Sequence, residues 1–438
     1  MGGWGSDQRI KPEVGLAKLI IVLGIIAGVQ FLIEHTWGIS VRMSGGGAGS
    51  GGPAVALGLD AISEGSLKRQ LGFIASGIIG VALMLSSRNR TLRLAPFAGA
   101  AAAAFVAWCS FSLLWASEPQ LVGRRLMAFW FLLLAALGMI KWAPSRSLPW
   151  YLGLSAFAYV VIGSGAEVSL GTLAPTSARF RFAGTLHPNQ QGINCAVLTL
   201  SALWIATSQG TRNRVVGVAL GVVGFMFLIM TRSRTAFAAT LAASLFLFVL
   251  RLHPTRRWII LATIVNIGVL LAFLLVNGLL GAPGELLMLG RGGEDVGTLN
   301  SRMPLWQVLA PYAASRPIAG FGYSGFMTVQ RAAEVALLLE FGIAAAHSVY
   351  LEIMLGVGAV GLGLFLLCMF SALGHGIRES FRSESRDGVS LFAAIVVFEI
   401  LNGALDSSLV FPSWRFSSLL AITALCALTR PVVRGRGQ

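Results

Sequence analysis

The chain has 438 residues, of which 55% are hydrophobic and 12% charged, and its mean hydropathy is +0.77. These values exclude a water-soluble globular protein and indicate an integral membrane protein. The formal charge of +15 lies mostly on arginines in links between apolar segments, which is not the pattern of a nucleic-acid-binding protein. We expect a single polytopic membrane domain over residues 1–438.

About twelve apolar segments have a length close to the roughly 20 residues that a helix needs to cross the hydrocarbon core. They cover approximately residues 13–33, 71–87, 95–116, 126–143, 149–165, 190–207, 214–231, 235–251, 258–280, 347–373, 389–405 and 415–430. The sequence therefore predicts an all-α fold with about twelve transmembrane helices.

Basic residues lie in alternate links between these segments, as the positive-inside rule requires of cytoplasmic links. They are Arg9, Lys11, Arg88, Arg90, Arg93, Lys141, Arg146, Arg212, Arg214, Arg251, Arg256, Arg257, Arg378, Arg382, Arg386, Arg430, Arg434 and Arg436. This alternation predicts that both termini face the cytoplasm and that the other links face the outside.

Residues 281–346 form the long outer loop of this topology, which is a periplasmic loop if the protein is bacterial. Within it, residues 325–342 have a helical period, with Arg331, Glu334 and Glu340 off the apolar face. We expect short helices here that lie at the membrane interface.

A second set of arginines falls on the predicted outer side, at the ends of the spans. The set consists of Arg179, Arg181, Arg232, Arg234 and Arg302. Guanidinium groups at membrane depth are energetically costly and usually serve a function. A polyanionic substrate, such as the pyrophosphate of a lipid-linked sugar, would explain them.

The first motif on this side runs from Arg179 to Gly192 and contains Arg181, His187 and Asn189. Pro188 suits the first turn of a helix, whose unpaired N–H groups favour an anion. Two arginines upstream offer bidentate hydrogen bonds to phosphate. A solvated loop with a helix cap is the alternative interpretation.

The second motif, residues 231–236, holds Arg232 and Arg234 where one span ends and the next begins. The alternative to substrate binding is that both arginines extend to the interface as anchors.

The third motif joins Arg302 and Trp306 to the segment Gly320–Gly325, which contains Tyr323. The glycines permit close backbone approach, and the aromatic rings offer faces for stacking on sugars, although packing is the commoner role of such rings. No parallel sheet is predicted around the glycines, so a nucleotide-binding fingerprint is rejected.

The fourth motif, residues 346–352, opens the tenth predicted span. His347, Tyr350 and Met354 share one face if this segment is helical. An imidazole at the mouth of a span has a suitable pKa to accept a proton from a sugar hydroxyl, although a structural role is the commoner alternative.

In order and spacing the four motifs resemble those of the O-antigen ligase and Wzy-type polysaccharide polymerase family over roughly residues 170–370. The resemblance implies a GT-C-like membrane glycosyltransferase. Its donor would be a glycan on undecaprenyl pyrophosphate, held by Arg181, Arg234 and Arg302, and His347 would deprotonate the acceptor. The chain has no Asp-x-Asp pair, and we expect no metal and no cofactor.

Two reactions remain open within the family. A polymerase of O-antigen or exopolysaccharide transfers the growing chain to another lipid-linked unit, whereas a ligase transfers the glycan to lipid A-core in lipopolysaccharide biosynthesis. The motifs favour the polymerase slightly. Membrane lipids and other polysaccharide-assembly proteins are the expected partners. A transporter of lipid or polysaccharide is the alternative outside the family, but the inverted repeats typical of transporters are not recognisable.

Overall fold

The computed structural model describes residues 67–87, 95–143, 147–177, 180–208, 210–252, 302–339, 345–382 and 388–407, and all regular secondary structure in them is helical. The α-helices are α1 (Leu67–Ser86), α2 (Pro96–Phe111), α3 (Pro119–Trp142), α4 (Leu148–Ser169), α5 (Pro188–Ala206), α6 (Thr211–Thr231), α7 (Arg234–Arg251), α8 (Arg302–Ser315), α9 (Val329–Leu339), α10 (Val349–Arg382) and α11 (Val389–Asn402). A 3-10 turn, Ser112–Trp115, extends α2.

Seven of the described helices are long and apolar enough to cross a membrane, namely α1, α2, α3, α4, α6, α7 and α10. The chain is therefore a multi-pass membrane protein. Helix α5 has the length but is more polar, and α11 has 14 residues. The predicted spans at residues 13–33, 258–280 and 415–430 lie outside the described residues, so the total of twelve stays a prediction.

Helix α5 is the centre of the bundle. It packs against α4, α6, α7 and α11, and most of its residues are buried. Enclosure by protein explains why it carries polar residues such as Gln191 and Asn194, both about 1% exposed. A lipid-facing helix would not tolerate such groups. The motif that precedes this helix is therefore held at the mouth of the most enclosed element.

Helices α1 and α3 pack at a glycine crossing. A Cβ atom added to Gly138 would lie 2.3 Å from the carbonyl oxygen of Gly80, and one added to Gly80 would lie 2.4 Å from that of Leu134. Such contacts leave no room for a side chain, as is common where membrane helices approach closely. The Lys141 ammonium donates to the Met84 carbonyl (3.0 Å) at one end of this pair.

Two of the candidate motifs meet at one end of the bundle, which we call the outer end: the start of α5 and the α6–α7 turn. The start of α10 lies against the end of α11. Gly192 of α5 lies against Ser233 of the turn, and the Val349 N–H of α10 donates to Gly403 O at 2.8 Å. At the opposite end, Arg251 donates to Thr207 O (3.0 Å). This distribution agrees with the predicted alternation of the links.

Helix α10 is broken at Gly358, where φ is +68° and ψ is −171°. The span predicted over residues 347–373 agrees with the candidate membrane span Val349–Phe381, which is interrupted at this glycine. The break frees backbone groups, which pair with the loop that follows α8: Phe321 N–H donates to Leu355 O (2.9 Å) and Gly322 N–H to Gly356 O (2.8 Å). The G-x-G segment thus makes the close backbone contact that its glycines predict. Its N–H groups pair with the carbonyl groups of the interrupted helix.

Helices α8 and α9 form a cap with a core of its own. Leu309, Phe326, Val335 and Leu355 are buried together there, the last of them from α10. The helical period predicted for residues 325–342 is confirmed as α9, Val329–Leu339. Residues 281–301 of the predicted loop lie outside the described residues.

Labelling of introduced cysteines should report the predicted orientation. Ser177 precedes α5 and Arg212 begins α6, and both side chains are exposed. We expect a membrane-impermeant maleimide to label Ser177→Cys in intact spheroplasts, and Arg212→Cys only after permeabilisation, because the two sites lie on opposite sides of one span. Labelling of both from the same side would contradict the topology.

Candidate functional site at the outer end of the bundle

Arg181 lies between two helix ends at the outer end. Its Nη2 donates to Asn189 Oδ1 (2.8 Å) in the first turn of α5, and its Nε donates to Thr231 O (3.2 Å) at the end of α6. The guanidinium is half-buried. The structure therefore brings Arg181 and Asn189 together, in a fixed orientation. Arg179 lies outside the described residues.

The segment that carries Arg181 is attached to α6 and α4. Phe182 N–H donates to Met230 O (2.8 Å), and the Phe182 ring meets Phe227 edge-on at 4.7 Å between centroids. Gly184 follows with φ +59°, and a Cβ there would lie 2.7 Å from Gly163 Cα. Only glycine fits both the left-handed conformation and this close approach to α4.

His187 is the N-cap of α5, with extended backbone, and Pro188 is the first helical residue. The Nδ1 atom of His187 accepts a hydrogen bond from the Asn189 N–H (3.3 Å), so this nitrogen carries no proton. The cap keeps Asn189 in place beneath Arg181. The helix cap considered from the sequence is thus present, and it is built from the motif itself.

The α6–α7 turn adds two more arginines. Arg232 ends α6 in the left-handed conformation (φ +52°), and its Nη2 donates to Ser177 O (3.4 Å). Arg234 is the first residue of α7. A Cβ on Gly192 would lie 3.0 Å from Ser233 Cβ, so the turn is pressed against α5. Arg181, Arg232 and Arg234 are thereby gathered around the starts of α5 and α7.

His347 belongs to a second group of residues. Its position corrects the prediction that it shares a helix face with Tyr350 and Met354. It precedes α10 by two residues, with φ +53°, and does not share a helix face with Tyr350 and Met354. The backbone before it is held on both sides: Trp306 Nε1 donates to Ala346 O (2.9 Å), and Ala346 N–H donates to Glu352 Oε1. We call these contacts the Ala346 clamp.

Trp306 and Arg302 come from one face of α8, since they are four residues apart. Both side chains are half-buried. The Trp306 indole contacts the His347 loop through Ala346 O, and Arg302 lies one helical turn before Trp306. This is a role for Trp306 that the sequence did not indicate.

The start of α10 is also fixed to the end of α11. Val349 N–H is shared between Gly403 O (2.8 Å) and Asp406 O (3.1 Å), and Tyr350 Oη donates to Ile400 O (2.7 Å). Since α11 packs along α7, these bonds connect the His347 loop to the helix that begins with Arg234. Tyr350 thus orients the loop through its hydroxyl.

Arg125, which is half-buried, and Glu352, which is buried, are two charged residues that the sequence analysis did not select. Arg125 Nη1 donates to the Ser324 carbonyl, and the guanidinium interacts electrostatically with the Glu352 carboxylate. Glu352 is 4% exposed. Buried ionic groups of opposite sign stabilise one another only in close, hydrogen-bonded geometry. Arg125 lies just before the predicted span 126–143 but inside helix α3, Pro119–Trp142, and an arginine within a membrane helix is the signal that could have identified it.

Tyr323 does not belong to the group formed by Arg181, Arg232 and Arg234. It is 3% exposed, its ring packs against Phe129 at 5.3 Å between centroids, and its N–H donates to Ser112 Oγ (2.8 Å). Burial raises the pKa of its hydroxyl well above the ordinary value, so the group stays neutral. An enclosed ring offers no face to a sugar, and the predicted stacking role of Tyr323 is replaced by packing.

Backbone strain is concentrated in the same region. Among the described residues, the non-glycine residues with positive φ are Arg232, Ser324 and His347. All three belong to the candidate motifs, and Ser324 accepts the hydrogen bond from Arg125. Such conformations persist when surrounding contacts hold them, and they are common at functional sites. Within the described ranges, no group of three or more His, Cys, Asp or Glu side chains is arranged to hold a metal ion.

Removing the Trp306 donor should loosen the His347 loop without disturbing the bundle. In Trp306→Phe the ring is largely kept but Ala346 O loses its partner, so we expect activity to fall about tenfold, roughly the effect of one hydrogen bond of ~1.4 kcal/mol. Trp130 is a suitable control because its Nε1 bonds Ser110 Oγ at an exposed position. Equal rates of glycan transfer in Trp306→Phe and Trp130→Phe would contradict the clamp.

Comparison with known families agrees with this geometry. Residues 218–366 match the family model described as O-antigen ligase. Arg232, Arg234, Arg302, Trp306 and His347 all fall inside this range, whereas the segment with Arg181 precedes it. Among curated proteins, none matches the chain. The resemblance of the motifs to the O-antigen ligase and Wzy-type family is thus confirmed over residues 218–366.

Proposed function

We propose that the protein is a membrane glycosyltransferase that moves a glycan from undecaprenyl pyrophosphate to an acceptor on the periplasmic face of the bacterial inner membrane. The observation that carries the proposal is the convergence of Arg181, Arg232 and Arg234 at the outer end, connected through α11 to the His347 loop. The family match gives the reaction class, an O-antigen ligase or polymerase type.

The arginines supply fixed positive charge for the pyrophosphate. Arg181 is oriented by Asn189 and Thr231 O, and Arg234 stands at the positive end of the α7 dipole, where an anion is favoured. Donors that are in place before the reaction stabilise charge that develops on a leaving group. We assign Arg181, Arg234 and Arg302 to this role, and no step of the proposed reaction uses a metal or cofactor.

The proposed step is a displacement at the anomeric carbon of the donor glycan. An acceptor hydroxyl oxygen forms the new bond to that carbon while the bond from carbon to the pyrophosphate oxygen breaks. The hydroxyl proton passes to His347, and undecaprenyl pyrophosphate leaves with the electron pair. A general base within reach of the hydroxyl contributes about 10²–10⁴-fold to rate.

The remaining substrate contacts are proposed from position. Arg179, Arg232, His187 and Asn189 belong to the motifs around the pyrophosphate, although His187 and Asn189 act mainly by capping α5 and orienting Arg181. Trp306 and Tyr350 border the His347 loop and are half-buried. We therefore place the acceptor next to the His347 loop.

Polymerase and ligase differ in the acceptor. The motifs favour a polymerase, whose acceptor is the glycan of a second lipid-linked unit. The matching family is described as O-antigen ligase, and a ligase would use the alternative acceptor, lipid A-core. Both reactions use the same donor chemistry and the same assigned arginines.

Transfer by the purified protein in proteoliposomes tests the proposal. The vesicles contain a synthetic glycan on undecaprenyl pyrophosphate, alone or with lipid A-core, and the products are identified by mass spectrometry. Multimers of the repeat unit in the absence of lipid A-core indicate a polymerase, and product only with lipid A-core indicates a ligase. Passage of intact donor across the membrane without release of undecaprenyl pyrophosphate would indicate a transporter and contradict the proposal.

A further inference from the structure

Glu167 is a buried carboxylate in the last turn of α4, with an exposed fraction of 0%. Its Oε1 accepts two backbone hydrogen bonds, from Ala183 N–H (2.8 Å) and Gly184 N–H (2.7 Å). Its Oε2 has no hydrogen-bond partner among the described residues. Placing a carboxylate in such a site costs free energy. The two hydrogen bonds that Oε1 accepts therefore best explain why a carboxylate is buried at this position.

The same helix face shapes the turn that Glu167 holds. Gly163 lies one helical turn before Glu167, and its Cα is the atom that a Cβ on Gly184 would meet at 2.7 Å. Gly184 itself has φ +59°. A glycine that leaves space and a carboxylate that accepts the two N–H groups together fix this left-handed turn on α4. Helix α4 thus determines where residues 183 and 184 lie.

Arg181 precedes this turn by two residues, and His187 follows it by three. From Glu167, the connection runs through Ala183 to Phe182, whose N–H bonds Met230 O (2.8 Å), and then to Arg181 against Asn189. The segment is short and anchored on both sides. A shift of the 183–184 turn would therefore be transmitted to the Arg181 guanidinium.

We infer that Glu167 is a positioning residue: its Oε1, by accepting the N–H groups of Ala183 and Gly184, sets the orientation of Arg181 towards the pyrophosphate of the donor. This inference rests on the proposed function, since it names a residue that acts through Arg181. Glu167 itself contacts no substrate. The hydrogen-bonding oxygen, rather than the negative charge, carries the role.

Three substitutions separate the oxygen from the charge. Glu167→Gln keeps an accepting oxygen at the same distance, and its NH₂ replaces Oε2, so it should retain most of the wild-type kcat. Glu167→Asp keeps the charge but withdraws the oxygen by one methylene, and Glu167→Ala removes it. Both should lower kcat by about 10²-fold, the order of loss for an ångström-scale misplacement in an active site. Glu334→Ala, at an exposed carboxylate of α9, is the matched control.

Hydrogen exchange of a peptide covering residues 180–187 gives a readout that does not depend on activity. We expect faster exchange in the Asp and Ala variants and wild-type exchange in the Gln variant. Unchanged exchange in Asp and Ala would overturn the inference, as would wild-type kcat in Asp or a Gln variant as impaired as Asp. If the Ala variant does not accumulate in the membrane, the comparison of Asp with Gln decides.

The two proposals fail differently. If the wild-type protein releases no undecaprenyl pyrophosphate, the proposed function fails, while the exchange experiment still reports whether Glu167 holds the turn. If exchange rises in Glu167→Asp but transfer continues at the wild-type rate, the glycosyltransferase proposal stands and the positioning role of Glu167 is refuted.

Discussion

Replacement of Arg234 by lysine is expected to lower glycan transfer by about 10²–10³-fold, the range observed when one preorganised donor at a developing charge is removed. Lysine keeps a positive charge at the start of α7 but lacks the planar pair of donors that fits phosphate oxygens. Insertion of the protein in the membrane should be unaffected, because the side chain is half-buried at the helix end and not in the core.

Arg302→Ala should produce a loss of similar size, since Arg302 is assigned to the same pyrophosphate. Arg212→Lys is the matched control, because Arg212 is exposed at the start of α6, at the opposite end from the site. The rate of undecaprenyl pyrophosphate release is the measured quantity. Wild-type rates in both Arg234→Lys and Arg302→Ala would remove the proposed pyrophosphate clamp.

Replacement of His347 by alanine is expected to lower transfer by about 10²–10⁴-fold, the usual contribution of a general base. Binding of the lipid-linked donor should stay nearly intact, because the donor is assigned to the arginines. The left-handed conformation of His347 and the Ala346 clamp fix the backbone before α10 independently of substrate. His375→Ala, in the distant part of α10, is the control for loss of a membrane-protein histidine.

A glutamine at position 347 distinguishes a base from a hydrogen-bonding group. Glutamine donates and accepts hydrogen bonds but does not take up a proton near neutral pH. If His347 is the base, His347→Gln should be nearly as slow as His347→Ala, with donor binding measured separately. Turnover of the Gln variant at the wild-type rate would end the general-base assignment and leave His347 a binding residue.

The sequence predicts the helices of this protein well where hydropathy and charge act locally. The helices from α1 to α7 follow from apolar segments bounded by prolines, glycines and arginines, and α9 follows from its helical period. The sequence also places Arg181 near Asn189, because Pro188 begins a helix just after the arginine. These features depend on residues that are close together in the chain.

The break in α10 could not be predicted in this way, because Gly358 becomes a break only when residues 317–322 supply partners for the interrupted backbone. The left-handed His347 depends likewise on Trp306 and Glu352, which hold Ala346 from two directions. Tyr323 was assigned by residue type, whereas its burial depends on the distant Phe129. Contacts between remote segments decide each of these cases.

The most direct test of the account is the rate of glycan transfer by purified protein after removal of divalent metal with EDTA. The account predicts that the rate is unchanged, because arginine side chains neutralise the negative charge of the pyrophosphate. It also predicts that EDTA-treated Arg234→Lys remains slow when Mg²⁺ or Mn²⁺ is added back. A wild-type rate that falls to background in EDTA and returns with added metal would contradict the central claim.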